Sequence, residues 1–272
     1  MIKIFRNIRR KLAIENKFMA YSRYAIGEIV LVVIGILIAL QVNNWNETRI
    51  EQKKIKQYSK ALIEDLTNDI DMMRESRSQA QKKYEYIDSL RIYMTQTLTV
   101  ELSNTFLWLV AHDIMYKPYN WHRSTLNELK SSGGLSYITN DSLQKKIVAY
   151  ESFSNHLDED FEFDKSNADK MDDITASLID LNSPYLTKIL ERENKEDTSF
   201  KHFETEEYKL SKANELKLIS QDETLIKKFV NTLILIQDNY RTRAYKEMPR
   251  IMEEAQGLID LLKIEYQHDQ IF

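Results

Sequence analysis

The sequence contains no cysteine, three prolines and five glycines in 272 residues. Without cysteine there can be no disulfide framework, thiol nucleophile or Cys-ligated zinc site. So few glycines and prolines poorly suit a turn-rich β fold. There is no phosphate-cradling glycine-rich loop, no Gly-x-Ser-x-Gly elbow, no dinucleotide fingerprint and no His-Glu-x-x-His pair. The five histidines stand at 112, 122, 156, 202 and 268, and only one Glu-x-x-His string occurs, Glu265 to His268, where a di-iron bundle uses two. No cofactor, metal site or catalytic residue is therefore expected. These absences weigh against an enzyme without excluding one, because scattered Ser, His and Asp side chains can still meet in space.

What the chain does contain is 43% hydrophobic and 29% charged residues, a mixture suited to long amphipathic helices, and an all-α fold follows. Its net charge of −4 conceals an asymmetry: residues 1–23 hold seven Lys or Arg against one Glu, leaving 31 basic and 41 acidic residues beyond them. The basic head abuts an apolar run and lacks interleaved aromatic stacking positions, which favours anionic phospholipid over nucleic acid as its partner.

From Ile29 to Leu40 no side chain is polar, and the span Ala25 to Val42 extends to 18 residues. At ~1.5 Å per residue this reaches about 27 Å, just enough for a bilayer core of ~30 Å. Tyr21 and Tyr24 stand at one end and Trp45 at the other, and the excess of Lys and Arg lies only on the N-terminal side. The expected organisation is a basic cytoplasmic head (1–23), an uncleaved single-pass anchor (24–45) and an extracytoplasmic helical bundle (46–272). A cleaved signal peptide is disfavoured by the long basic region and by the lack of a small-x-small site after the apolar run. Glu28 interrupts the apolar pattern. At about 100° per residue, Glu28, Gly35 and Ala39 share one line of the helix, a small-residue face on which a second membrane helix could pack and hydrogen-bond, either from another copy of this chain or from another membrane protein.

The stretch from Tyr24 through Gly27-Glu28 and Leu40-Gln41-Val42-Asn43-Asn44-Trp45-Asn46-Glu47 to Arg49 resembles the N-terminal signature of a family of uncharacterised single-pass membrane proteins from Bacteroidota, a domain of unknown function. The segment Thr125 to Leu143, with Glu128-Leu129-Lys130-Ser131-Ser132-Gly133, is similar to that family's mid-domain block, but carries Gly134 where the family pattern has a bulkier residue. The resemblance implies an inner-membrane anchor and a shared architecture, and supplies no activity.

In the body, Tyr58, Leu62, Leu66, Ile70 and Met73 recur at helical spacing, with a bend allowed near residue 76. Residues 104–116 are apolar almost all round but too short to span a bilayer, and read as a core helix. Thr125-x-x-Glu128 predicts a capping box, Ser131 to Gly134 a helix stop, Asn140 or Asp141 a cap for a helix reaching about Leu181, and Pro184 a first helical position. A last helix is expected from near Asp222 to about Gln267, kinked or split by Pro249. Together these predict an antiparallel bundle of long helices. The acidic run Leu157 to Asp164 lacks the glycine of a calcium loop and reads as a solvated face.

Aromatic and polar residues gather around Trp108, His112, Tyr116, Tyr119, Trp121, His122 and Arg123. Of these, Trp108, His112, Trp121, His122 and Arg123 form a candidate ligand or partner site, against the alternative that they plug the end of a bundle. The leading functional expectation is a periplasmic interaction or scaffold module anchored in the bacterial inner membrane with its N-terminus in the cytoplasm. A small-ligand sensor is the second reading, and with only about 24 cytoplasmic residues it requires a separate signalling partner. An enzyme of undefined class is the third.

Overall fold

The computed structural model describes residues 18–97, 102–114, 117–193, 202–214 and 217–266. Most of the basic head, Met115, Tyr116 and His268 lie outside these residues. The described chain is helical and contains no strand, beyond one isolated antiparallel bridge between Ser103 and Lys217. The all-α expectation therefore holds. By contacts the chain divides into two units, Met1–Tyr58 and Ser59–Phe272, whose boundary falls inside the first helix, α1 (Phe18–Gln96).

In the first unit, the apolar segment leaves its side chains in the open: Leu31 is 67% exposed, Ile38 58% and Trp45 65%. An 18-residue window here has a mean hydropathy of 2.6 with none of it buried, and this is the one helix among the described residues long and apolar enough to cross a membrane. A soluble protein rarely leaves so large a contiguous apolar surface in water, since each 100 Å² so exposed forgoes about 2.5 kcal/mol. Asn43 Nδ2 donates to Glu47 Oε1 at 2.9 Å, and the Arg49 guanidinium lies 5.7 Å from the Trp45 ring centroid, marking the change to polar surface one turn on.

In the second unit, α1 buries Leu62, Leu66, Ile70 and Met73 on the predicted stripe, then Ala80, Ile87, Leu90 and Met94. It stays helical through residues 75–79, so no break accompanies the weakened apolar pattern there. The helix α2 (Asn104–Asp113) is buried over most of its length, as its apolar composition requires; Ser103 caps it by accepting from the Phe106 N–H, and buried Asn104 exchanges two hydrogen bonds with the backbone of Asp180. Next come α3 (Ser124–Ser131), a 3-10 turn at Gly134–Tyr137, and α4 (Asp141–Leu178), capped by Asn140. Gly133 ends α3 in the left-handed region with φ 72°. Gly134 has an ordinary φ, but an added Cβ there would lie 3.0 Å from Leu129 Cδ2 and 3.3 Å from the Leu129 carbonyl, which accounts for a second glycine at this point.

Pro184 opens α5 (Pro184–Glu193); α6 (Glu206–Asn214) and α7 (Glu223–Thr242), capped by Asp222, follow. A π turn at Arg243–Glu247 then leads into α8 (Met248–Tyr266). Pro249 exerts its effect here. Met248 N–H bonds to Arg243 O, five residues back; the next donor would be residue 249, which has no N–H, and the carbonyl it would have served is Ala244 O. Arg77 Nε of α1 donates to that carbonyl at 2.9 Å, so the widened turn is satisfied from a neighbouring helix. Helix α4 packs against α2, α7 and α8, and Phe229, Leu233 and Ile236 of α7 join Leu107, Leu109 and Val110 of α2 in the core.

Candidate functional site

The segment from Pro118 to Ser124 lies between α1 and α4, and its polar groups are met by carboxylates on both. Asp69 of α1 is 1% exposed. Its Oδ1 accepts from the His122 backbone N–H at 2.8 Å and faces His122 Nδ1 at 2.9 Å, while its Oδ2 accepts from the Tyr150 hydroxyl of α4 at 2.6 Å. Burial, followed by the charge of Asp69, raises the Tyr150 phenol far above its ordinary range, so it remains a donor. One turn earlier on α1, Asp65 Oδ2 accepts from the Thr125 backbone N–H at 3.1 Å and lies 3.4 Å from Ser124 Oγ.

Asp65 thereby replaces the predicted capping box. Helix α3 begins at Ser124, so Thr125 lies inside its first turn, and the N-cap, Arg123, supplies no side-chain bond. A carboxylate from another helix satisfies an orphan N–H at the positive end of α3.

Beside this network, Trp121 Nε1 donates to Asp158 Oδ1 at 2.8 Å and Arg123 Nη2 pairs with Asp158 Oδ2 at 2.8 Å, also reaching Ser154 Oγ at 3.1 Å. The Arg123 guanidinium sits 5.5 Å from the Trp121 ring centroid. Tyr119 packs at 5.6 Å on Trp121 and under the Arg243 guanidinium. Arg243 Nη2 forms an ion pair with Asp164 Oδ2, both residues being buried, and Asn239 Nδ2 donates to Asp164 Oδ1 at 2.6 Å. The acidic run 157–164 is thus not a wholly solvated face. Asp164 is buried against Arg243, and Asp158, 39% exposed by side chain, is held at the surface by Arg123 and Trp121.

The five candidate residues fall in two places. Trp121, His122 and Arg123 act together against α1 and α4, with His122 45% and Arg123 29% exposed by side chain. Trp108 and His112 stack on one another along α2, with centroids 4.7 Å apart and planes at 10°, and His112 lies near enough to Asp172 to influence its charge. Of the membrane-helix line, Glu28 is partly exposed, Gly35 and Ala39 are exposed, and a Cβ at Gly35 would meet nothing within 4 Å.

The residues that organise this region and escape sequence inspection are Asp65, Asp69, Tyr150, Asp158, Asp164 and Arg243. A usable signal exists for two of them. Asp69 falls in the buried stripe Leu62, Leu66, Met73, and Asp164 falls midway in the seven-residue series Leu157, Met171, Leu178. A carboxylate at a core position needs a partner.

Two further sets of titratable groups stand apart. Burial lowers the Lys83 ammonium from 10.5 to about 8 against the opposing pull of Asp113, and Lys83 lies 5.4 Å from the Tyr240 ring centroid. Tyr86 donates to Asp113 Oδ2 at 2.8 Å. Separately, His156, Asp160 and Glu247 place one imidazole nitrogen and two carboxylate oxygens within 4.8 Å of one another.

The chain belongs to a family of unknown function (DUF6090), which matches residues 28–200. That match takes in the apolar segment from Glu28 onward, the Asp65 and Asp69 clamp and the acidic run of α4, and stops short of Arg243 and Glu247. No curated protein and no solved structure matches the chain.

Proposed function

We propose that this member of the family is a membrane-tethered interaction module, with its first helix in the bacterial inner membrane, the basic head in the cytoplasm on anionic phospholipid, and the helical body in the periplasm. The observation that carries this reading is the apolar window near the N-terminus, of which nothing is buried. One-sided basic flanking sets the direction of insertion. The polar groups of residues 121–125 are engaged by Asp65, Asp69 and Asp158, an arrangement suited to a rigid body that presents its outer faces to a protein partner. Glu28, Gly35 and Ala39 offer the membrane helix a second surface, for another copy of this chain or a different membrane helix.

The absence of native cysteine makes topology directly measurable. Single cysteines at Asn7 and at exposed Ser132 are treated in spheroplasts with a membrane-impermeant maleimide. Labelling at 132 and protection at 7 until lysis supports the proposed orientation; the reverse pattern inverts it, and protection of both removes a periplasmic body. Cross-linked co-purification then asks for a defined partner. A recovery that Glu28→Leu abolishes assigns the contact to the membrane helix, and the absence of any specific partner counts against an interaction module.

A further inference from the structure

His156 and Asp160 are one turn apart on α4, and His156 Nε2 lies 3.4 Å from Asp160 Oδ2. That separation is long for a charge-assisted hydrogen bond but equals the edge of a tetrahedron whose centre holds ligands at ~2.1 Å, about 3.4 Å. The imidazole, 54% exposed by side chain, lies near-parallel to the Phe153 ring, with planes at 18° and centroids 6.2 Å apart. The third group, Glu247, comes from the other side, carried on the π turn, a distortion that often marks functional positions.

The neighbouring acids differ in one respect. Asp158 is held by Trp121 and Arg123, and Asp164 by Arg243 and Asn239. Among the described residues, Glu247 has no hydrogen bond or ion pair, and the only one made by Asp160 is with His156. Glu247 and Asp160 thus bring two carboxylate oxygens within 4.8 Å of the imidazole nitrogen.

We propose that His156, Asp160 and Glu247 form a binding site for a divalent first-row transition metal, of which zinc best fits a tetrahedral set of one imidazole and two carboxylates. All three ligand atoms already lie within 4.8 Å of one another, so the carboxylates need to close by at most about 1.4 Å to reach the separations that ~2.0–2.1 Å bonds require. Three protein ligands leave the fourth position to water or to a group from outside the chain. The metal would tie α4 to the π turn, across the same junction where Arg243 meets Asp164.

The test uses the full chain in detergent, stripped with a chelator and titrated calorimetrically with Zn²⁺, with Co²⁺ absorption as the report on geometry. The expected result is one saturable equivalent and the intense visible bands of tetrahedral Co²⁺. Loss of an outer-shell partner alone weakens metal sites about 10–100-fold, so His156→Ala and Glu247→Gln should each weaken binding at least about tenfold. Circular dichroism checks that the variants remain helical, and Glu265→Gln with His268→Ala serves as the control at the single Glu-x-x-His string. Weak, non-saturating uptake that ignores Glu247→Gln, or binding lost in the control instead, overturns the site.

Discussion

Asp69 and Tyr150, 81 residues apart, are joined by a 2.6 Å hydrogen bond in which the tyrosine hydroxyl of α4 donates to the buried carboxylate of α1. It closes a set of contacts in which His122 occupies the other carboxylate oxygen. Three separate segments of the chain thus converge on one acceptor.

Tyr150→Phe removes that donor while keeping the ring, leaving Asp69 Oδ2 short of its partner. The expected loss is about 1–3 kcal/mol in urea denaturation of the detergent-solubilised chain. In an Asp69→Leu background the same change should cost less than half as much, because no acceptor remains to be stranded. Equal costs in the two backgrounds would show that the hydroxyl contributes independently of Asp69.

The buried pair Arg243 and Asp164 behaves differently when cut than when replaced. Arg243→Met leaves Asp164 at 2% exposure with Asn239 as its remaining hydrogen-bond donor, and should cost ~3–5 kcal/mol. Joining it with Asp164→Leu should return most of that loss, since two apolar side chains need no mutual charge. A double variant as unstable as the single one would instead place the loss in the stacking of Arg243 over Tyr119.

Trp121 and Arg123 share Asp158, so their losses should not add. Each alanine variant is expected to cost about 1–3 kcal/mol through the hydrogen bond it leaves unmade, and the pair less than the sum. Unchanged stability in both, measured by thermal melting, would free these side chains for a ligand or partner.

The sequence reveals much of the helical frame because periodic apolar stripes and caps are local. Leu62, Leu66, Ile70 and Met73 lie where spacing predicts, Asn140 and Asp222 cap their helices, and Pro184 opens α5. The polar junctions are illegible for the opposite reason: each depends on a partner more than 30 residues away, as with the 37 between Trp121 and Asp158 and the 81 between Asp69 and Tyr150. Thr125 and Glu128 carry a local capping pattern, but the Thr125 N–H is met by Asp65 of α1, a carboxylate held on a packed helix that already faces it. Likewise, composition alone makes 157–164 look solvated, and only the positions of Arg123 and Arg243 give Asp158 a partner at the surface and Asp164 one in the interior.

Lys83 gives the fold a pH dependence of defined sign. Its folded value of about 8 lies below the 10.5 of the unfolded chain. Below pH 8 both states carry the proton and the full cost of the half-buried charge is present. Between about 8 and 10.5 the unfolded state binds more protons, so stability rises with pH, and above 10.5 the cost is gone. A shift of this size corresponds to at most ~3 kcal/mol, reduced by solvent screening at this half-buried position. Lys83→Met should therefore exceed the native chain in stability at pH 7 and lose most of that advantage by pH 10. Parallel profiles for the two proteins would contradict this.

The adjacent glycines after α3 should tolerate substitution for different reasons and to different degrees. At Gly133 nothing lies within 4 Å of an added Cβ, so Gly133→Ala meets only the backbone cost of φ 72°, about 1–2 kcal/mol, and a larger unbranched side chain should cost little more. At Gly134 the backbone is ordinary and the obstacles are buried Leu129, by its Cδ2 and its carbonyl, and Ser132 Oγ at 3.2 Å. Gly134→Ala should be felt through a shift of a few tenths of an ångström, and Gly134→Val should be worse by the ~1–3 kcal/mol typical of overpacking. Size dependence is the discriminating reading: a flat series of melting temperatures at 133 and a steep one at 134 would identify backbone strain at the first and steric exclusion at the second. A Leu129→Ala background should lessen the slope at 134 without abolishing it, because the Leu129 carbonyl at 3.3 Å and Ser132 Oγ at 3.2 Å remain.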